Sequence, residues 1–271
     1  MARTLEEARS LFRIALLDAG VNENVDGFLA VARPALIYHP AASAIERDPS
    51  LVNRPEGETN EDDIPLGATK VGGRADLPAG SSWPGDTLSF VVQFDLARLP
   101  PDVIDLDLPR EGHLALFADP EDGVAGKLIW IGPYEGRLAR AEPPDAATLH
   151  LPRRLSHEVV LTLDFERPGV PASDSEPDLA SDAPAVPQPE DCIQLGGDPR
   201  TLTDRLAEAC EQRDAELDPL SGDDAEWRLV LRVGSIEECE MDWNGSLYVW
   251  MRTGDIRERR FDNAVIVRDS D

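Results

Sequence analysis

Apolar positions recur along the chain in two rhythms. Near the start, Leu5, Ala8, Leu11, Phe12, Ala15 and Leu16 fall at helical spacing, and Thr4-Leu5-Glu6-Glu7 has the spacing of a capping box. This predicts a helix that stops at Gly20. A second short helix is expected over residues 28–32, ended by Pro34, and then a strand over residues 35–39 closed by Pro40. From residue 69 the rhythm changes to alternation. Residues 87–96 read as a strand with Leu88, Phe90, Val92, Phe94 and Leu96 on one face and Ser89, Val91, Gln93 and Asp95 on the other. Strands are expected over residues 113–118 and 127–131, joined by an acidic turn at 119–123, and over residues 158–165. An amphipathic helix from Thr201, marked by Leu202, Leu206, Ala209 and Cys210, precedes three more strands over residues 227–233, 246–252 and 263–268. Antiparallel-looking strands with segregated helices predict an α+β class, mainly antiparallel β with N-terminal helices.

Polar stretches divide this pattern. Residues 46–66 read as an exposed loop, and residues 168–190 hold six prolines, five acids and no Lys or Arg, the composition of a linker or long loop. The expected organisation is N-terminal helices and a first strand (1–45), a first β-rich repeat (69–167), the Pro/Asp-rich segment (168–190) and a second β-rich repeat with one helix (191–271), together forming one compact domain. The repeat expectation rests on four landmarks in the same order. Val71-Gly72-Gly73 answers to Leu195-Gly196-Gly197, and residues 90–94 to 229–233. Likewise residues 112–117 answer to 245–250, and 128–131 to 264–267. On this reading residues 69–131 and 193–268 superpose and share a core carrying Phe90, Phe94, Leu229 and Val233.

Charge narrows the function classes. The 271 residues carry 26 Lys plus Arg against 53 Asp plus Glu, a formal net charge of −27. A nucleic acid requires dense cationic contacts and an anionic membrane repels such a surface, so neither is an expected partner. No apolar run reaches the length of a membrane span, and the first residues lack a basic start followed by an apolar stretch, so the expected location is the cytoplasm. Cys192, Cys210 and Cys239 have no CxxC spacing, and an odd number in that compartment predicts free thiols. His39, His113, His150 and His157 show no HxH or HExxH spacing, so no metal site and no cofactor is expected.

The segment Thr69-Lys70-Val71-Gly72-Gly73-Arg74-Ala75-Asp76-Leu77-Pro78, then Trp83-Pro84, then residues 88–96, resembles the YwqG-like family, a bacterial domain of unknown function. Residues 227–231, the stretch 243–250 and Phe261-Asp262-Asn263-Ala264-Val265 are similar to that family's closing strands, so the resemblance covers roughly residues 30–268. The second half departs from the pattern: Gln194-Leu195-Gly196-Gly197-Asp198-Pro199 lacks the family's usual histidine. The resemblance implies a fold and carries over no catalytic residue.

Candidate chemistry is correspondingly sparse. Gly72-Gly73 sits in neither GxxxxGK[ST] nor GxGxxG, and no serine lies in a GxSxG elbow. One constellation remains. Gln93 and Arg232 interrupt apolar strands at matched positions, and a polar group buried mid-strand without a partner costs about 1–3 kcal/mol. With Asp95, Tyr248 and Trp250 they form the candidate lining of a ligand or partner cleft; no catalytic residue is assigned. The expected function is a non-enzymatic interaction module, an inhibitor or immunity-type protein for a basic partner. The alternative is a small-molecule-binding protein or hydrolase with a cleft between the repeats. Self-repulsion among the excess carboxylates gives a first prediction: the melting temperature rises between low and moderate salt, and a flat or falling one contradicts it.

Overall fold

The computed structural model describes residues 2–40, 60–120, 125–133, 137–164, 192–199 and 204–269. The expected residues 46–59 of the first loop, turn residues 121–123, the segment 168–190 and the helix start at Thr201 lie outside the described residues. The described strands are β1 (Arg33–Pro40), β2 (Lys70–Val71), β3 (Asp76–Pro78), β4 (Ser89–Asp95), β5 (His113–Ala118) and β6 (Gly126–Ile131). They continue with β7 (Leu138–Arg140), β8 (Arg153–Thr162), β9 (Ile193–Gly196), β10 (Trp227–Ile236), β11 (Met241–Arg252) and β12 (Val265–Asp269). The helices are α1 (Leu5–Asp18), α2 (Val25–Val31), α3 (Asp204–Asp214) and α4 (Thr253–Arg257).

Ten strands form one sheet in the order β12-β11-β10-β9-β1-β8-β2-β4-β5-β6, every neighbouring pair antiparallel. The remaining two, β3 and β7, pair as a separate ladder. The sheet curls until its two edges meet through side chains. A Cβ on Gly126 of β6 would lie 2.8 Å from Ile266 Cδ1 of β12, and the ring of Trp130 on β6 lies 6.3 Å from that of Phe261. The result is a nearly closed barrel whose interior is a single apolar cluster running from Leu36 and Val92 through Leu116 to Trp243, Val249 and Ile266. Burying the inner face of every strand against the others supplies the core that no single segment could build alone.

This overturns the α+β class and its two repeats. The chain is mostly antiparallel β with few helices, and the described residues form one continuous sheet, not two repeated units. The physical reason is the pairing of β1. It bonds to β8 over eight residue pairs, from Arg33–Thr162 to Pro40–Leu155, and to β9 on its other side. β1 and β8 lie outside the two segments expected to superpose, and they join those segments into a single hydrogen-bonded surface.

The shared-core expectation fails for a second reason, a bulge in each of two strands. The register slips between Phe90 and Val92 on β4 and between Leu229 and Leu231 on β10. A bulge turns the side chains beyond it to the opposite face. Phe94 and Val233 therefore join the interior. Phe90 packs outside with Phe117 and Ala115, and Leu229 packs outside with Tyr248 and Trp250. In α1, Thr4 Oγ1 accepts the Glu7 N–H at 3.2 Å and Ala8, Phe12, Ala15 and Leu16 are buried, as the capping and spacing imply. Leu11, expected on that face, is 48% exposed.

Because β8 and β9 are both antiparallel to β1, they run parallel to each other and cannot close the gap as an antiparallel pair if β1 is absent. A chain beginning at Asn60 should therefore show no cooperative thermal transition by circular dichroism. A cooperative melt of that fragment near the intact protein's temperature would show that β1 is dispensable.

Candidate functional site

The inner face of the barrel is apolar, so polar side chains within the strands point outward. Val92 and Phe94, either side of Gln93, belong to the interior cluster, as do Leu231 and Val233 either side of Arg232. Gln93 and Arg232 thus lie on the outer surface of the sheet, yet each is 1% exposed. Both are covered, by different parts of the chain.

Over Gln93 lies the β3–β7 ladder with the segment that precedes β2. The β2–β4 register pairs Lys70 with Gln93, which places both side chains on one face. Gln93 Nε2 donates to Ala68 O and to Asp76 Oδ2, both at 2.9 Å, and its Oε1 accepts the Asp76 N–H at 3.1 Å. The Lys70 ammonium, fully buried, donates to Arg74 O at 2.5 Å and to Glu61 Oε1 at 3.1 Å, with Asp76 Oδ1 at 3.4 Å. Arg74 donates its N–H to Glu61 Oε1 at 2.6 Å and its Nε to Glu61 Oε2 at 2.9 Å. Arg140 reaches Asp62 Oδ1 at 3.1 Å and donates to Ile64 O. Burial pushes the Glu61 carboxyl up, and the Arg74 and Lys70 contacts more than reverse this, leaving it below its ordinary value. All three Lys70 donors have acceptors within reach, so this is a closed ionic network that fastens the outer ladder to the barrel.

Arg232 lies beside Tyr248, on which α3 packs. The β10–β9 register pairs Arg232 with Gln194, and the guanidinium stands 5.9 Å from the Tyr248 ring centroid. Tyr248 and Trp250 pack with Leu206 and Cys210 of α3 and with Val265 and Val267 of β12. Arg232, Tyr248 and Trp250 are therefore neighbours on the outer face, with α3 packed on the two aromatic side chains. Gln93 is not with them, because β9, β1, β8 and β2 intervene between β10 and β4. Asp95 is half-buried at the end of β4, where Oδ1 accepts the Ala97 N–H and Oδ2 meets Arg98 Nε at 3.2 Å. A surface groove of about 420 Å³ lies elsewhere, between α1 and α2, lined by Glu6, Arg9, Arg13, Asp26 and Leu29 among others.

A third buried cluster has no signal in the sequence pattern. Asp255 of α4, fully buried, accepts from Arg252 Nε and Arg260 Nε, each at 2.6 Å, and from Asn263 Nδ2 at 2.8 Å. Burial raises its carboxyl and these three donors outweigh it, so its pKa lies below the ordinary value. Cys210 and Cys239 are buried thiols pushed up to about 12 by desolvation, which keeps them protonated and poor nucleophiles. Among the described residues, no group of three or more His, Cys, Asp or Glu is placed to hold a metal ion. Also among them, no helix is long and apolar enough to cross a membrane.

Fold and side chains together define a filled, nearly closed antiparallel β-barrel with buried ionic networks around Lys70 and Asp255. The chain belongs to the DUF1963 family, a domain of unknown function, which matches residues 69–269. No curated protein matches it. The matched range excludes β1, which is central to the sheet.

Removing one member of a buried ion pair leaves the other charge uncompensated. Asp76→Ala should cost about 3–5 kcal/mol, because the buried Lys70 ammonium is left with one carboxylate fewer and Gln93 Nε2 and the Gly67 N–H each lose an acceptor. A urea midpoint unchanged from the parent protein would show that the network carries no stability.

Proposed function

We propose that this protein is a non-enzymatic binding module whose partner is a basic protein, acting as an inhibitor or immunity-type protein, and that its family affinity extends to the YwqG-like proteins. One observation carries this reading. At the turn joining β10 and β11, Glu237, Glu238, Glu240 and Asp242 are all exposed. Beside them the chain presents Leu149 and Leu151, which are 55% and 38% exposed. The two groups are held together by the Leu151 N–H, which donates to Cys239 O at 2.9 Å.

Exposed apolar side chains rimmed by carboxylates suit a cationic surface with an apolar contact at its centre. The net charge of −27 adds long-range attraction, which accelerates encounter and is screened by salt. The burial of Gln93 under the β3–β7 ladder and of Arg232 beside Tyr248 fits a protein that works through its outer surface. A cytoplasmic location accords with three buried, free cysteines.

Affinity capture from native lysate tests the reading when run at low and at high salt beside the variant Glu237→Lys/Glu240→Lys. A basic partner retained at low salt, released at high salt and lost by the variant is the expected result. No specific partner under either condition counts against it.

A further inference from the structure

Residues 147–152 cross one mouth of the barrel. The Thr148 N–H donates to Ser89 Oγ of β4 at 2.8 Å, and the Gly73 N–H, just beyond β2, donates to His150 O at 2.8 Å. On the far side, Leu151 is bonded to Cys239 in the β10–β11 turn. Since β8, β1 and β9 separate β2 from β10 in the sheet, this strap bridges the opening. It rests directly on the paired glycines. Gly72 and Gly73 have φ of 63° and 71°, and a Cβ on Gly72 would lie 2.3 Å from Leu151 O.

From Thr148 to Leu151, three side chains are exposed and one is buried. The buried one is His150, at 5% exposure. Its Nδ1 lies 3.2 Å from Glu240 O, and its ring is 5.9 Å from that of Trp243, a residue of the barrel interior. A carbonyl only accepts, so Nδ1 carries the hydrogen and the neutral ring keeps its lone pair on Nε2. Nε2 is buried without a hydrogen-bond partner. A second proton would put an N–H and a full charge where no acceptor stands. The charged groups on the packed elements do not supply one. Glu237, Glu238, Glu240 and Asp242 are exposed on the turn and β11. Arg153, which follows the strap, is a cation, and Glu61, beside Gly73, is committed to Lys70 and Arg74.

We propose that the strap over residues 147–152 is an acid-sensitive latch on the barrel mouth, pinned by the neutral His150 ring and released when that ring takes up a proton. Desolvation already holds the His150 pKa below its ordinary value of 6.5, against the opposing pull of the Glu240 carbonyl. The closed strap therefore binds fewer protons than the open one, and acid favours opening. With one proton taken up per opening, the open fraction grows by at most about tenfold per pH unit below that value.

Amide hydrogen exchange of the full chain, corrected for the intrinsic pH dependence, tests this between about pH 7.5 and about pH 5.5. Opening of residues 147–152 should rise with acid while the β1 and β8 amides stay protected. His150→Gln keeps an amide donor for the Glu240 carbonyl without titrating, and its strap should open independently of pH. His157 also has a depressed pKa, caused by desolvation, but lies on β8, so His157→Gln should leave the rise intact. A pH-independent strap in the parent protein, or an undiminished rise in His150→Gln, overturns the proposal. Imidazole nitrogen shifts of the parent protein give a second readout that needs no variant. The expected form at neutral pH is the Nδ1–H tautomer, and an Nε2–H tautomer or a pKa at or above 6.5 overturns the latch.

Discussion

Enclosing an apolar interior within one curled sheet dictates where everything else goes. Once Val92, Phe94, Leu231 and Val233 face inward, the alternation of a strand forces Gln93 and Arg232 outward. A ten-stranded sheet has far more outer surface than the helices here can cover. The chain covers it piecemeal: α1 lies against β8, α3 against β11 and β12, and the β3–β7 ladder over β4 and β5. The helical covers sit on apolar clusters, Phe12, Leu16 and Phe28 with Leu161 for α1 and α2, and Leu206 with Tyr248 for α3. The ladder is fastened by the Lys70–Asp76–Glu61 network, and the end of β11 is tied to α4 by Asp255. Buried charge is found where these two pieces, the ladder and α4, meet the barrel.

That arrangement explains a bias in the composition. Only Lys70 and Lys127 are lysine among the 26 basic residues, and the rest are arginine. Arg228, Arg232 and Arg252 are buried, and Arg33, Arg74, Arg140 and Arg260 are each engaged with carboxylates. A planar guanidinium with five donors suits such sites better than an ammonium, because it can serve several oxygens at once without reorienting. Arg74, Arg140 and Arg260 each also meet an exposed carboxylate, Glu142, Asp62 and Glu258, so one guanidinium links a buried acid to a surface one.

How far these features could be read in advance follows from their length. The helical face of α1 and the strands β1, β4, β5, β6, β10, β11 and β12 repeat their period often enough to be read, although their ends shift. β2, β3, β7 and β9 span two to four residues, too few to show any period, and they include the strands that join the sheet. Strand order was not legible either, because the β1 pairings connect Tyr38 with His157 and Ile193, far along the chain. The bulges at β4 and β10 leave the apolar pattern intact while exchanging its faces, so Phe90 and Phe94 look equivalent and are not. For the candidate residues, the pattern revealed polar groups in apolar strands. The nature of their cover depends on Asp76 and α3, whose positions only the assembled sheet determines. The Asp255 node and the His150 strap consist of backbone acceptors and distant donors, which leave no motif.

The family match begins at residue 69, and this raises a question about what constitutes the folding unit. β8 and β9 both fall within the matched range, and each offers an edge to β1, which does not. Two strands running parallel with an empty position between them cannot be brought into the antiparallel register of the rest of the sheet by sliding together. The position must be filled by a strand of opposite direction, and Ala35, Leu36, Ile37 and Tyr38 fill it with a run buried on both faces. Such a strand needs apolar side chains and the right length. Its requirement is geometric, and the matched residues create the requirement without meeting it. The ten-stranded sheet therefore extends beyond the matched range, and residues 33–40 belong to it.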